Sequence, residues 1–218
     1  TVTVSVDGEV VGTATANGDG EWSFTLPPQP DGAHEVTATQ TDPAGNASGP
    51  SEPVTITVDT TAPAAPTITA PADGSVTNDP QPPVTGTAEP GATVEVVLDG
   101  TAYTVEAGGD GTWEVTPASP LADGSYTVSV TATDEAGNTS PPATSTFEVD
   151  TTAPGAPDIT GPADGSTVGT STPTITGTAE PGSTVTVVVD GTSYETTAEA
   201  TTGAWSVEVT EPLADGPV

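Results

Sequence analysis

Apolar and polar residues alternate along much of the chain with a period of two. Between residues 126 and 132 each apolar residue is followed by one that carries a hydroxyl group, and related alternation recurs over 93–98, 112–116 and 146–149. This pattern is typical of an antiparallel strand with one buried face and one face in solvent. No stretch shows the helical period of about 3.6 residues. The pattern therefore predicts an all-β chain.

Short turn-forming pairs separate the alternating segments. Asp-Gly pairs stand at 99–100, 110–111 and 123–124, and a Pro-Gly pair stands at 90–91. These pairs favour tight turns, because Gly accepts a positive φ and Asp bonds to the backbone of the turn. Between the turns we predict seven strands, at 67–70, 84–88, 93–98, near 103–105, and at 112–116, 126–133 and 144–149.

The sequence repeats itself with a period of about 91 residues. The segment Val-Asp-Thr-Thr-Ala-Pro at 58–63 recurs at 149–154, and Gly-Thr-Ala-Glu-Pro-Gly at 86–91 recurs at 177–182. A repeat of this length predicts a string of similar domains. We predict three: residues 1–63 with the N-terminal part missing, 64–154 complete, and 155–218 with the C-terminal part missing. The chain is therefore expected to be a segment of a longer protein.

Six or seven short strands in a repeat of about 91 residues are typical of an immunoglobulin-type β-sandwich. The predicted fold class is all-β, with tandem immunoglobulin-like β-sandwiches joined end to end by short Pro-containing linkers. Trp22, Trp113 and Trp205 occupy equivalent positions and are expected to anchor the three cores. Tyr126 stands where such sandwiches place a tyrosine corner. His34 is expected to substitute for that Tyr in the first repeat.

The charge of the chain excludes several classes of function. It carries 31 Asp and Glu residues, no Lys or Arg, and one His, so its formal net charge is −31. A chain without Lys or Arg cannot form the basic groove that binds phosphates electrostatically, which excludes nucleic acid as a partner. No apolar run approaches the roughly 20 residues of a membrane span, so this segment is not expected to insert into a membrane. The absence of Cys excludes thiolate and disulfide chemistry.

Enzyme activity is not expected either. Paired carboxylates could in principle hydrolyse a glycosidic bond. Here the candidate carboxylates recur with the repeat, whereas a catalytic site has no need of a copy in every repeat. With a single His, at position 34, the chain also offers no Ser-His-Asp constellation.

Four motifs resemble the bacterial Ig-like repeats of large surface adhesins and biofilm-associated proteins. They are Gly-Thr-Ala-Glu-Pro-Gly-x-Thr-Val-x-Val from Gly86, Leu-Ala-Asp-Gly-Ser-Tyr at 121–126, Asp-Glu-Ala-Gly-Asn at 134–138, and the Val-Asp-Thr-Thr-Ala-Pro linker. The resemblance covers the whole chain. It implies an extracellular stalk of many units on the bacterial cell surface, often with calcium at the joints between units.

The acidic turn and linker residues offer one chemical hypothesis, which is calcium binding at the joints. In such a sandwich the loops after the second and sixth strands lie at the N-terminal end, next to the preceding linker. Ca²⁺ takes hard oxygen ligands, which carboxylates and amides supply. The candidates are Asp59, Glu89, Asp134 and Asn138 at the first joint, and Asp150, Glu180, Asp123 and Asp73 at the second. The alternative is that these residues only form turns.

The favoured function is an extracellular structural spacer that contacts the neighbouring repeats of its own chain and is stiffened by calcium. The alternative is self-association, in which open sandwich edges pair with other chains and build a filament or a biofilm matrix fibre. A third possibility, a glycan-binding module of a secreted enzyme, would need a concave aromatic patch. The eight aromatic residues of the chain make that reading weak, since three of them are Trp expected in the cores.

Overall fold

The structure is a computed structural model that describes residues 1–215, and within that range it contains seventeen strands and no helix. The first repeat forms β1 (Val2–Val6), β2 (Glu9–Ala14), β3 (Gly32–Gln40) and β4 (Val54–Val58). The second forms β5 (Thr67–Ala70), β6 (Ser75–Thr77), β7 (Val84–Thr87), β8 (Thr93–Leu98), β9 (Thr101–Glu106), β10 (Thr112–Val115), β11 (Gly124–Thr133) and β12 (Ala143–Val149). The third forms β13 (Asp158–Gly161), β14 (Thr174–Thr178), β15 (Thr184–Val189), β16 (Thr192–Thr197) and β17 (Ala204–Glu208).

These strands confirm the predicted all-β class. The chain divides into two compact units, Thr1–Thr151 and Thr152–Val218, and each is described by itself. The predicted repeat boundaries after residues 63 and 154 stay predictions. The last three residues of the predicted unit 155–218 lie outside the described range.

The second repeat is a complete two-sheet sandwich. One sheet has the order β10-β7-β5 and the other the order β6-β12-β11-β8-β9. The pairs are antiparallel except for β6 against β12. All seven predicted strands are present to within a few residues. The sequence pattern missed β6, because three residues are too few to show an alternation.

The core of this sandwich consists of the apolar residues that alternate along its strands. Val94 and Val96 of β8, and Val128 and Val130 of β11, are fully buried. Trp113 is 4% exposed, which confirms it as a core anchor. Its ring packs over β7, where a Cβ on Gly86 would collide with the ring and with the Thr67 carbonyl oxygen. Packing therefore requires Gly at this position.

Tyr126 forms the predicted corner at the start of β11. Its hydroxyl donates a hydrogen bond to the carbonyl oxygen of Ala122 at 2.8 Å. Its ring stacks on Phe147 of β12, with ring centroids 5.7 Å apart. Together, the hydrogen bond and the ring stack hold the loop before β11 against the sheet.

The prediction that Trp22 anchors the core of the first repeat is wrong. Trp22 is 43% exposed, and residues 15–31 contain no strand. In the second repeat, the strand of Trp113 pairs with β7. The four strands of the first repeat all lie in the sheet β2-β1-β3-β4, and none of them pairs with the segment around Trp22. A cleft of about 380 Å³ lies beside the Trp22 ring.

The first repeat is built on one sheet, and the described residues of the unit from Thr152, up to residue 215, form two. The first sheet has the order β2-β1-β3-β4, with Val2, Val4 and Val6 buried on one face. In the other unit, the sheets are β13-β14-β17 and β15-β16. Trp205 is buried there as predicted, and a Cβ on Gly177 would collide with its ring.

Candidate functional site at the inter-repeat joints

The loop before β3 holds the linker that follows β4. The carboxylate oxygen Oδ1 of Asp31 accepts hydrogen bonds from the backbone N–H and the hydroxyl of Thr60, at 3.0 and 2.8 Å. The other oxygen, Oδ2, accepts one from the Thr61 hydroxyl at 2.7 Å. These bonds, first that of Thr61 and then those of Thr60, hold the pKa of Asp31 below its usual value. We call this arrangement the linker latch.

Strand register explains why the linker latch forms. Gly32, the first residue of β3, pairs with Val58, the last residue of β4. Asp31 therefore lies beside the first residues after β4. Gly32 has a φ of 139°, which lets the chain turn sharply into the strand directly after Asp31.

The second repeat carries the same latch. Oδ1 of Asp123 accepts hydrogen bonds from the backbone N–H and the hydroxyl of Thr151, at 2.9 and 2.6 Å. The register again explains it, because Gly124 pairs with Val149 at the ends of β11 and β12. Sequence reasoning took Asp123 as a metal-ligand candidate and missed Asp31. One recurring sequence pattern identifies both Asp31 and Asp123. In each repeat an Asp-Gly pair stands at the start of one strand, and Asp-Thr-Thr follows the end of the strand that pairs with it.

The loop between β11 and β12 is organised by Asp134 and Asn138. Oδ1 of Asp134 accepts a hydrogen bond from the backbone N–H of Asn138 at 2.8 Å, and Oδ2 accepts one from its Nδ2 at 2.9 Å. The bond from the Asn138 side chain is the main reason that the pKa of Asp134 is lowered. Asp42 and Asn46 form the same pair in the first repeat. The motif Asp-x-x-Gly-Asn thus specifies this loop locally.

Asn138 also contacts the linker that precedes its repeat. Its Nδ2 donates a hydrogen bond to the backbone carbonyl oxygen of Asp59 at 3.1 Å. The structure therefore brings together three of the four residues predicted at the first joint. Asp59 takes part through its backbone, while its carboxylate oxygen Oδ1 accepts a hydrogen bond from the N–H of Thr61 at 3.0 Å.

The other candidate residues form hydrogen bonds within local turns or between neighbouring segments of the chain. The backbone carbonyls of Glu89 and Glu180 accept hydrogen bonds from residues three positions later, at 3.0 Å in both turns. Oδ1 of Asp73 accepts from the N–H and the hydroxyl of Thr146, at 2.8 and 2.9 Å. These bonds lower the pKa of Asp73, the backbone bond having the larger effect. The N–H of Asp150 donates to the Thr77 carbonyl oxygen at 2.9 Å.

No three Asp, Glu or His side chains among residues 1–215 lie close enough together to hold a metal ion in this arrangement. The same range also holds no helix of the length and apolar character that crossing a bilayer requires. The hydrogen bonds observed at the first joint run from Thr hydroxyls, one Asn amide and a backbone N–H to carboxylate and carbonyl oxygens.

Comparison with solved structures finds bacterial adhesins among the similar chains. A Ca²⁺-stabilized adhesin that helps an Antarctic bacterium reach out and bind ice is 31% identical, with 95% of this chain and 56% of that chain covered and a TM-score of 0.38. A 1.5-MDa bacterial ice-binding adhesin is 27% identical, with 95% and 74% covered and a TM-score of 0.39. A carbohydrate acetylesterase from Xanthomonas citri is 31% identical, with 39% and 19% covered and a TM-score of 0.32.

The chain thus spans about a fifth of the acetylesterase and just over half of the Antarctic adhesin structure. A comparison with curated protein sequences gave no match. The family comparison is decisive, because the bacterial Ig-like domain matches residues 1–60 and again residues 64–151. The matched family is an Ig-like domain and not an enzyme family, in agreement with the expectation from the sequence. The chain belongs to the bacterial Ig-like domain family.

Proposed function

We propose that the chain is a spacer segment in the extracellular stalk of a bacterial surface adhesin. The observation that carries the proposal is the first joint, where the linker is bound from both sides. Asp31 of the first repeat binds Thr60 and Thr61, and Asn138 of the second binds the Asp59 carbonyl. A linker bound at consecutive residues orients the two repeats better than a free tether does.

Linker composition and charge also support a spacer. Pro63 stands two residues after Thr61, and it restricts Ala62, the residue before it, to extended conformations. Such a linker is stiffer than a Gly/Ser tether. Acidic residues occur in every repeat and no Lys or Arg offsets them, so neighbouring chains repel each other and stay soluble. At about 3.3 Å per strand residue, each sandwich with its linker adds roughly 35–45 Å of reach.

The experiment removes or duplicates one full period, residues 64–154, in the full-length protein on its own bacterium. Antibodies against this repeat are expected to label intact cells. Deletion is expected to leave surface display unchanged and to bring the distal end of the protein closer to the cell by one repeat, and duplication to move it outward by the same step. The proposal is contradicted if the antibodies label the repeat only after the cells are permeabilised. It is also contradicted if the distance of the distal end from the cell does not change with the number of repeats.

We also propose that calcium binds at these joints, with Asp59, Glu89, Asp134 and Asn138 at the first. In support, the Asp59 carbonyl oxygen and Oδ2 of Asp134 both lie within hydrogen-bond distance of Nδ2 of Asn138. Two oxygens from the two sides of the joint thus converge on one point. A half-turn of the Asn138 amide would add its Oδ1 to this set. Glu89 and water would complete the six to eight oxygens that Ca²⁺ takes.

For the second joint the proposed ligands are Asp150, Glu180, Asp123 and Asp73. This set fits calcium less well, because Asp123 and Asp73 each use an oxygen to bind a Thr backbone and hydroxyl. A bound calcium would neutralise nearby carboxylates and hold the angle between repeats. We therefore expect the first joint to respond to calcium more than the second.

The calcium proposal is tested by thermal unfolding of the chain in EDTA and in calcium at ten times the dissociation constant. Binding at that concentration stabilises the folded state by about 1.4 kcal/mol. Asp134→Asn is expected to abolish the response, while Asp42→Asn, in the equivalent loop of the first repeat, is the matched control and is expected to retain it. An identical melting temperature in EDTA and in calcium would contradict calcium binding. The proposed spacer function does not depend on that result.

The alternative, a filament formed by self-association, is favoured by one feature. In the second repeat, β9 lies at the edge of one sheet and β5 at the edge of the other, and both strands carry exposed residues. Open edges can pair with strands of other chains. Sedimentation at increasing concentration separates the two functions, since a spacer stays monomeric and a filament former does not.

A further inference from the structure

The first repeat replaces the tyrosine corner with a histidine. In the second repeat the Tyr126 hydroxyl bonds the carbonyl oxygen of Ala122, four residues earlier, at 2.8 Å. In the first repeat Nε2 of His34 bonds the carbonyl oxygen of Pro30, also four residues earlier and also at 2.8 Å. The imidazole therefore makes the bond that the hydroxyl makes in the other repeat.

The second ring nitrogen has a partner as well. Nδ1 of His34 lies 2.7 Å from Oδ2 of Asp7, which stands in the turn between β1 and β2. The other oxygen of Asp7 accepts a hydrogen bond from the backbone N–H of Glu35 at 2.9 Å. His34 itself is only 7% exposed, so water has little access to replace either bond.

Both partners of the ring are hydrogen-bond acceptors. A carbonyl oxygen cannot donate, and an ionised carboxylate accepts only. A neutral imidazole carries one N–H and can satisfy one of them, whereas the imidazolium donates from both nitrogens. The geometry of the corner therefore matches the protonated ring.

We propose that the first repeat carries a proton-dependent corner, in which protonated His34 anchors the loop that holds the linker and deprotonated His34 releases it. Pro30, the acceptor of Nε2, directly precedes Asp31, the residue of the linker latch. The two residues anchor the same loop, one to the corner and the other to the linker. The one N–H of the neutral ring stays on the charged carboxylate of Asp7, the stronger acceptor, so the Pro30 bond is lost and the latch loosens. The second repeat, with Tyr126 at its corner, has no such dependence.

The residues around the His34 ring determine which other ionisable groups can influence its protonation. The turn after β1 contributes Asp7, and Glu35 is the next residue on β3 itself. The loop before β3 contributes Asp31, whose carboxylate is bonded to Thr60 and Thr61. On β4, the residue opposite His34 is Ile56, which does not titrate. The ionisable neighbours are thus all acidic and all favour the charged ring.

The direction of the pH effect follows from these contacts. The hydrogen bond to Asp7, and then that to the Pro30 carbonyl, raise the pKa of His34 above its ordinary value of about 6.5. The same bond from His34 is the main reason that the pKa of Asp7 is lowered. The corner is therefore complete below about pH 6.5 and is lost as the pH rises through the raised pKa of His34. At the acid end it is lost only as the pH falls through the lowered pKa of Asp7.

The single His makes the corner directly measurable by NMR in the 218-residue chain. The ring is expected to titrate above about pH 6.5. The second readout is hydrogen-exchange protection, corrected for intrinsic rates, of the Thr60 amide, whose control is the Thr151 amide in the equivalent latch. Above the pKa of His34, Thr60 protection is expected to fall by up to about tenfold for each unit of pKa elevation, while Thr151 stays unchanged.

Two variants complete the test. His34→Tyr recreates the corner of the second repeat and is expected to make Thr60 protection independent of pH between 5.5 and about 9, below the usual pKa of Tyr. Asp7→Asn is expected to bring the pKa of His34 down towards its ordinary value. A ring that titrates at or below about pH 6.5 in the unaltered chain overturns the proposal. So does a Thr60 protection that changes with pH alike in the unaltered chain and in His34→Tyr. If His34→Tyr does not fold, the ring titrations of the unaltered chain and Asp7→Asn decide the matter.

Discussion

Truncation of Trp113 and of Trp22 should have very different consequences although the two residues are sequence equivalents. Trp113 is 4% exposed within a closed sandwich, while Trp22 is 43% exposed on a segment without strand partners. Trp113→Ala is therefore expected to unfold or strongly destabilise the second repeat. In the 218-residue chain, Trp22→Ala is expected to change the stability of residues 1–63 by less than about 1 kcal/mol.

The magnitude for Trp113 follows from its burial. A buried aromatic side chain removes about 150–250 Å² from water, which at about 25 cal/mol per Å² corresponds to about 4–6 kcal/mol. The indole N–H of Trp113 is buried without a hydrogen-bond partner, and this offsets about 1–3 kcal/mol of that gain. A loss of about 3 kcal/mol is expected, at the lower end of the range for Trp→Ala. For a domain of this size that lowers the melting temperature by about 12–25 °C.

Thermal unfolding followed by hydrogen exchange and mass spectrometry assigns the loss to one repeat, because peptides from 64–154 and from 1–63 report separately. Glu114→Ala, an exposed change on the same strand as Trp113, is the control and is expected to fall within about 0.5 kcal/mol. Equal destabilisation by Trp22→Ala and Trp113→Ala would refute the reasoning, since it would mean that the segment around Trp22 is packed as β10 is.

Three further outcomes are expected in the second repeat and in the acidic turns. Gly86→Ala should lower the melting temperature sharply because its Cβ meets backbone and the Trp113 ring, while Gly109→Ala, where a Cβ meets open space, should not. Ser140→Ala should destabilise by about 1–3 kcal/mol in chemical denaturation, because the buried N–H of Ala132 loses the Ser140 hydroxyl as acceptor. Stability should fall on acidification below about pH 4, measured as a lower denaturant midpoint at pH 3 than at pH 7, because the pKa values of several turn carboxylates are lowered in the folded state. These carboxylates are those of Asp31, Asp42, Asp73, Asp110 and Asp134.

The strands of the complete repeat could be predicted because each is specified locally. In β8 and β11 the buried and exposed residues alternate in the structure as apolar and polar residues do in the sequence. Loops whose hydrogen bonds join residues a few positions apart could be predicted from the sequence equally well. The bonds between Asp134 and Asn138 span four residues, and the motif recurs with the same bonds at Asp42.

The joint could be predicted only in part, because its contacts depend on which strand ends lie side by side. Asp59, Asp134 and Asn138 were placed together from the expected arrangement of loops. The role of Asp31 was missed, since it is 29 residues from Thr60 and meets it only through the register of β3 against β4. The carboxylate of Asp59 was expected at the centre of the joint, where the structure places its backbone carbonyl.

The sequence by itself determined the repeat, the strand positions and the turns, because these depend on residues close together along the chain. Only the tertiary structure decided burial and pairing. Trp22 and Trp113 share their place in the repeat, yet Trp113 alone packs over the Gly86 strand, since burial requires a second sheet. His34 could be read as a stand-in for Tyr, but its bond to Asp7 arises only where β1 and β3 pair and bring two distant residues into contact.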